Sequence, residues 1–169
     1  MKRPSGSILI MALLCLSILF ALPVQGAPVD NMPKFALPSV TDGKIVNSDE
    51  YKGKILLINF FATWCPPCRQ EMPHLQEMHD KYGPEGFAVL AISVDDGGPR
   101  IVNKLVQKMG LTYPVVLADD KVSFDFGGII GIPTTFLVNR EGRILKRFDG
   151  YIPHDIVEKE LKKVFGPEK

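Results

Sequence analysis

Acidic residues are missing from the start of this 169-residue chain, where none occurs before Asp30. Cysteine and histidine are scarce, with three of each, and tryptophan occurs once. Three cysteines cannot staple a disulfide-rich scaffold, so the fold must rest on an apolar core. No sign of charge dominates: 20 basic residues face 19 acidic ones. That balance gives no footprint for nucleic acid, which is not an expected partner. Repeats and low-complexity tracts are also absent. What remains is a composition of 46% hydrophobic and 23% charged residues, that of an ordinary globular domain.

A long hydrophobic run is lacking too. Ile8–Leu22 is almost wholly apolar but has only 15 residues, whereas a spanning helix wants about 20. Lys2 and Arg3 precede it, and the small residues Gly26 and Ala27 follow. This order predicts a secretory signal over residues 1–26, cut between Gly26 and Ala27. Residues 27–34 then read as a tether and residues 35–169 as the folded domain. An uncleaved membrane anchor through residues 8–22 is the alternative. Cys15 follows Leu14 inside the run and lacks the small neighbour of a lipoprotein cysteine, so it reads as signal filler. The expected location is periplasmic or otherwise extracytoplasmic, where a disulfide persists. Removing the signal leaves 18 basic and 19 acidic residues and only two cysteines, Cys65 and Cys68.

Beyond the tether, Asp42-Gly43 between short apolar runs predicts a hairpin. Ile55–Ala62 and Phe87–Val94 are continuous apolar runs of strand length, suited to buried central strands. A helix must start directly after the first, because Pro66 and Pro67 fit only a first turn. Leu75, Met78 and Tyr82 continue its apolar stripe, Pro73 should kink it, and Gly83-Pro84 ends it. A second helix carries Ile101, Leu105, Val106 and Met109 and stops at Gly110. Tyr113–Leu117 reads as a strand and Lys121–Phe126 as a short helix or turn. Thr134–Val138 and Ile144–Phe148 flank the turn Asn-Arg-Glu-Gly-Arg, and Asp155–Phe165 is a closing amphipathic helix. Strands alternating with helices, then a hairpin and a helix, predict an α/β sandwich with a mixed sheet.

The segment Asn59–Leu75, NFFATWCPPCRQEMPHL, places the two cysteines where a buried strand meets a helix N-terminus. There Cys65 faces free N–H groups and the positive end of the helix dipole, which favour thiolate, the nucleophilic form. Its sulfur is expected to lie unhindered at the helix tip. Cys68, one turn on, is close enough to bond it at little loop cost. Cys65 then attacks a disulfide and Cys68 resolves the mixed disulfide. A structural staple is the first alternative, but so small a loop constrains the unfolded chain little. A metal site is the second. His74 and His79 give C-x2-C-x5-H-x4-H, a link far shorter than a zinc finger needs. Five apart on a helix, they also point about 140° apart. Soft thiolates could still hold Cu(I) in a copper carrier. The three histidines, His74, His79 and His154, are expected to be solvated.

FFATWCPPC resembles the active-site segment of the thioredoxin superfamily. Pro73 matches that family's helix-kinking proline, and GIPTTFLVN, Gly131–Asn139, resembles its cis-proline loop and following strand. The resemblance covers most of residues 35–165. It implies a thioredoxin-like three-layer α/β/α sandwich with a mixed central sheet, an N-terminal hairpin and a central insertion. The export signal, the hairpin and the long Asp95–Pro133 passage are similar to the TlpA/ResA group of exported thiol–disulfide oxidoreductases. That passage has room for one added strand and helix. In this group Glu71 sits where an active-site glutamate is often found. Thioredoxin carries a buried aspartate where this chain has Asn59, which cannot shuttle protons. Glu71, one turn after Cys68, is therefore expected to serve as the base, with its pKa raised by partial burial. A cis bond at Ile132–Pro133 would let Ile132 offer its N–H and C=O to an extended substrate segment. Trp64, Pro66 and Pro67 complete the expected substrate-contact surface. No cofactor or metal is implied.

Pro66 and Pro67 remove two N–H donors from the helix tip, which argues against a very strong oxidant and for a reductant. The resemblance implies protein thiols and disulfides as substrates, apocytochrome c among them in cytochrome c maturation. It also implies a membrane electron donor of the DsbD/CcdA type. A thiol peroxidase of the peroxiredoxin kind is a rival, but Thr63 is misplaced for the P-x3-T-x2-C pattern. A copper-binding carrier of the same fold usually spaces its cysteines one residue wider.

Overall fold

The structure, a computed structural model, describes residues 30–166. The predicted signal, its cleavage point, Cys15 and the first part of the tether lie outside the described residues. From Asp30 onward the tether is docked: Met32 N–H donates to Gly142 O at 2.8 Å, and Asp30 O accepts from Ile144 N–H at 2.9 Å.

The elements follow the order the sequence predicts. Strands β1 (Ala36–Pro38) and β2 (Ile45–Asn47) pair antiparallel as the N-terminal hairpin. Next come β3 (Ile55–Phe61), helix α1 (Pro66–Tyr82), β4 (Phe87–Ser93), α2 (Pro99–Met109), β5 (Val115–Leu117) and α3 (Asp120–Asp125). The chain closes with β6 (Thr134–Val138), β7 (Ile144–Asp149) and α4 (His154–Phe165). The main sheet has the order β5-β4-β3-β6-β7. Its β3, β4 and β5 run parallel, while β6 and β7 are antiparallel to their neighbours, so the sheet is mixed. The strand predicted from Tyr113 begins only at Val115, after Pro114, which has no N–H to give a ladder. Asp119 caps α3 by accepting Val122 N–H at 2.7 Å, and Gly110 ends α2 at φ 64°, a left-handed cap.

Side-chain alternation along β3 builds two cores. Ile55, Leu57 and Phe61 face α1, α2 and α4, with Val102, Val106, Met72, Leu75 and Leu161. Leu56, Ile58 and Phe60 face the opposite side, where the hairpin and α3 supply Phe35, Leu37, Val122 and Phe126. The segment α2-β5-α3 thus contributes to both layers. The inward stripe of α2 is Val102 and Val106, however, and Ile101, predicted to be on it, is 51% exposed. The helix starts at Pro99, and its phase there turns position 101 outward.

On the second face, Phe60, Phe126 and Phe136 form a ring cluster with centroids 5.1–5.9 Å apart. Phe126 is fully buried and anchors the end of α3 against the sheet. Phe126→Ala should lower the stability of the oxidised protein by about 3–5 kcal/mol, read as a lower urea midpoint at unchanged slope. Phe124→Ala, at a position 80% exposed, should stay within about 0.5 kcal/mol of the parent.

Candidate active site at Cys65 and Cys68

Strand β3 delivers the chain to the site through Ala62–Trp64, and a side-chain clamp fixes this connection. Asp95, 8% exposed just after β4, accepts Thr63 N–H at 2.8 Å, the Thr63 hydroxyl at 2.6 Å and the Ser93 hydroxyl at 2.8 Å. Cys65 is the N-cap of α1, and its Sγ accepts the N–H of Cys68 at 3.3 Å. Pro66 and Pro67 occupy the first two helical positions, so Cys68 N–H is the first free amide of the helix. The next, Arg69 N–H, is committed to Cys65 O at 3.2 Å. One backbone donor therefore faces the Cys65 sulfur.

Cys65 and Cys68 are joined by a disulfide with Cα atoms 5.3 Å apart. Cys68 is fully buried. Cys65 keeps only 3% exposure, which corrects the expectation of an unhindered sulfur. Its Sγ is bonded to that of buried Cys68, and Ile132 O lies 3.9 Å away, a contact rather than a hydrogen bond because a disulfide sulfur carries no proton. The Ile132–Pro133 peptide is cis, and Pro133 is buried. Trp64 is 69% exposed, Pro66 is exposed and Pro67 half-buried. Ile130, 98% exposed, and Tyr151, 46% exposed, add apolar surface on segments next to the site.

Glu71 projects from the inner face of α1 and is buried, 5% exposed. Its Oε1 accepts Ile152 N–H at 2.8 Å and its Oε2 accepts Asn59 Nδ2 at 3.3 Å. Burial drives its pKa up from 4.5 to about 7, against the downward pull of those two hydrogen bonds. Asn59, 1% exposed, also donates Nδ2–H to Thr135 Oγ1 at 2.9 Å, across the β3–β6 pairing that sets the two residues side by side. A narrow cleft lined by Glu71, His74, Thr135, Ile152 and His154 runs beside the carboxyl.

The histidines are only partly the solvated residues expected. His74 and His154 are half-buried with ring centroids 5.1 Å apart, brought together where α1 meets the start of α4. His79 Nδ1 accepts Val89 N–H at 3.3 Å, and burial lowers its pKa. Among the described residues no cluster of three or more His, Cys, Asp or Glu side chains could hold a metal ion. The Asp95 clamp, Thr135 and the Ile152 N–H have no sequence motif. The one signal was a polar Ser-Val-Asp-Asp run closing an apolar strand.

The Redoxin family profile matches residues 27–165. The chain belongs to the Redoxin family. Within the thioredoxin superfamily it is ResA-like. It is 32% identical over 133 residues to the thiol-disulfide oxidoreductase ResA of Geobacillus thermodenitrificans, covering 78% of this chain and 75% of that one. It is 31% identical over 125 residues to ResA of Bacillus subtilis, covering 74% and 69%. The crystal structure of a thiol:disulfide interchange protein from Chlorobium tepidum superposes with a TM-score of 0.74 at 32% identity, covering 83% of this chain and 99% of that one. This Redoxin member therefore has the thioredoxin-like α/β fold its sequence resembles.

The raised pKa of Glu71 has a signed consequence for this Redoxin member's stability. Between pH 4.5 and about 7 the folded protein holds a proton that the unfolded chain has released. The stability linked to Glu71 is thus full below pH 4.5 and is lost as pH rises through about 7. Glu71→Gln, neutral throughout, should flatten that decline. Denaturant unfolding of the oxidised protein from pH 4 to 9 checks this, and parallel profiles for parent and variant would contradict it.

Proposed function

We propose that this protein is an extracytoplasmic thiol–disulfide oxidoreductase that works as a reductant. The observation that carries the reading is the Cys65–Cys68 disulfide at the tip of α1, with its first free amide on Cys65. In the reduced protein, Cys65 thiolate attacks one sulfur of a substrate disulfide. A Cys65–substrate bond forms, the substrate bond breaks, and the departing thiolate takes a proton. Cys68 then gives its proton to the Glu71 carboxylate and attacks Cys65 Sγ. The Cys65–Cys68 bond forms, the second substrate thiol leaves, and two electrons have passed to the substrate. With a pKa near 7, Glu71 is ionised often enough to accept that proton and holds it weakly enough to release it.

Substrate contact falls to Trp64, Pro66, Pro67, Ile132 and Pro133. The Ile132 carbonyl beside Cys65 suits pairing with an extended segment. Protein thiols and disulfides are the substrates, apocytochrome c among them in cytochrome c maturation. A membrane donor of the DsbD/CcdA type returns the electrons. The basic, apolar, small-residue order of residues 1–27 supports export. Asp30–Met32 docks at the β6–β7 turn, the end of β6 away from Pro133.

Cys68→Ser should accumulate a mixed disulfide with a reducible protein substrate, visible on a non-reducing gel, and Cys65→Ser should not. Glu71→Gln should leave formation of the mixed disulfide unchanged and slow its resolution by about a hundredfold at pH 7. Trapping through Cys68 instead, or normal resolution in Glu71→Gln, would contradict the assigned roles.

A further inference from the structure

The exchange chemistry uses the two sulfurs and the Glu71 carboxyl, and it leaves Asn59 without a part. Asn59 is 1% exposed at the middle of β3, on the face that carries the site. Both protons of its Nδ2 are committed, one to Glu71 Oε2 at 3.3 Å and one to Thr135 Oγ1 at 2.9 Å. Its Oδ1 is buried and, among the described residues, has no hydrogen-bond partner. An unpaired buried carbonyl is costly, and a hydrophobic side chain at this place would avoid the cost.

The amide offers what no hydrophobic side chain or carboxylate could. A carboxylate at Glu71 only accepts hydrogen bonds, whereas the protonated acid has one to give. Asparagine carries a donor and an acceptor on one group, and a half-turn of the amide exchanges them. Thr135, a hydroxyl that both donates and accepts, can bond either face. Other groups that face or sense Glu71 are His74 on α1, His154 on α4, Tyr113 before β5 and the Ile152 N–H. None of them is a lysine or arginine, so no fixed cation holds the carboxylate ionised.

We propose that Asn59 is a positioning residue that holds Glu71 poised between its two protonation states. It donates Nδ2–H to the carboxylate and, turned over, accepts the proton of the acid on Oδ1. This deepens the role given to Glu71 above and rests on it. Aspartate at position 59 would fail at the task, because a second charge 3.3 Å away opposes ionisation of the first.

The test is an NMR titration of the full-length oxidised protein from pH 4.5 to 9, following the Glu71 carboxyl carbon and the Asn59 side-chain amide. Both signals should move with one midpoint. In Asn59→Ala the Glu71 midpoint should rise by about one pH unit, because the hydrogen bond lost by the carboxylate is worth about tenfold more than the one lost by the acid. In Asn59→Asp it should rise further. An Asn59 amide that stays still while Glu71 titrates overturns the proposal, and so does an unmoved midpoint in a folded Asn59→Ala. The amide signal of the unsubstituted protein decides the matter alone if the variants fail to fold. Failure of Glu71 as the proton acceptor for Cys68 would show separately, as normal disulfide resolution in Glu71→Gln with the shared midpoint intact.

Discussion

The hydrogen bond from Cys68 N–H to Cys65 Sγ is the constraint on which the rest of the site depends. A helix ordinarily points several free amides at its N-cap. Here Pro66 and Pro67 delete two, and Cys65 O takes the one from Arg69. A single donor is left for the sulfur. That sets a ceiling on how far the helix can stabilise thiolate, and thiolate stabilisation is what makes a disulfide strongly oxidising. The proline pair therefore bears on the direction of electron flow, besides stiffening the loop between the cysteines.

Strand β3 sets up the other half of the chemistry. Its period of two sends Phe60 into one core and Asn59 toward α1 on the other side. Glu71 reaches the same place from the helix. Burial lifts its pKa while the Asn59 amide and the Ile152 N–H draw it down, so it rests near neutrality. The Ile152 bond also ties the loop before α4, and with it Tyr151, to the carboxyl. The Glu71 carboxyl, the disulfide and Tyr151 are thus linked through α1 and one backbone hydrogen bond. On the opposite side, Asp95 locks Thr63 and keeps the approach to Cys65 rigid.

The order of elements and the position of the reactive pair were legible because they rest on local signals. Apolar runs of strand length, prolines at a helix start and Gly110 at a helix end act within a few residues. Glu71 could be reached from the family resemblance together with its helical spacing, one turn from Cys68. The contacts that finish the site could not. Asn59–Thr135 and Glu71–Ile152 join residues 76 and 81 apart, and Thr63–Asp95 joins residues 32 apart. They exist only once the sheet order is set. Ile101 misled because a short helix with several apolar residues leaves its phase ambiguous by one position. The half-buried histidines were hidden for a similar reason, since His74 and His154 meet only through α1 and α4. The burial of Cys65 was hidden because the Ile132 loop that packs against it lies 67 residues on in the chain.

The midpoint potential of the Cys65/Cys68 couple is the most direct test of the claim that one amide donor at the helix tip makes this a reductant. A value near thioredoxin's ~−270 mV is the predicted result. A value near ~−120 mV, that of a strong oxidant, would contradict it.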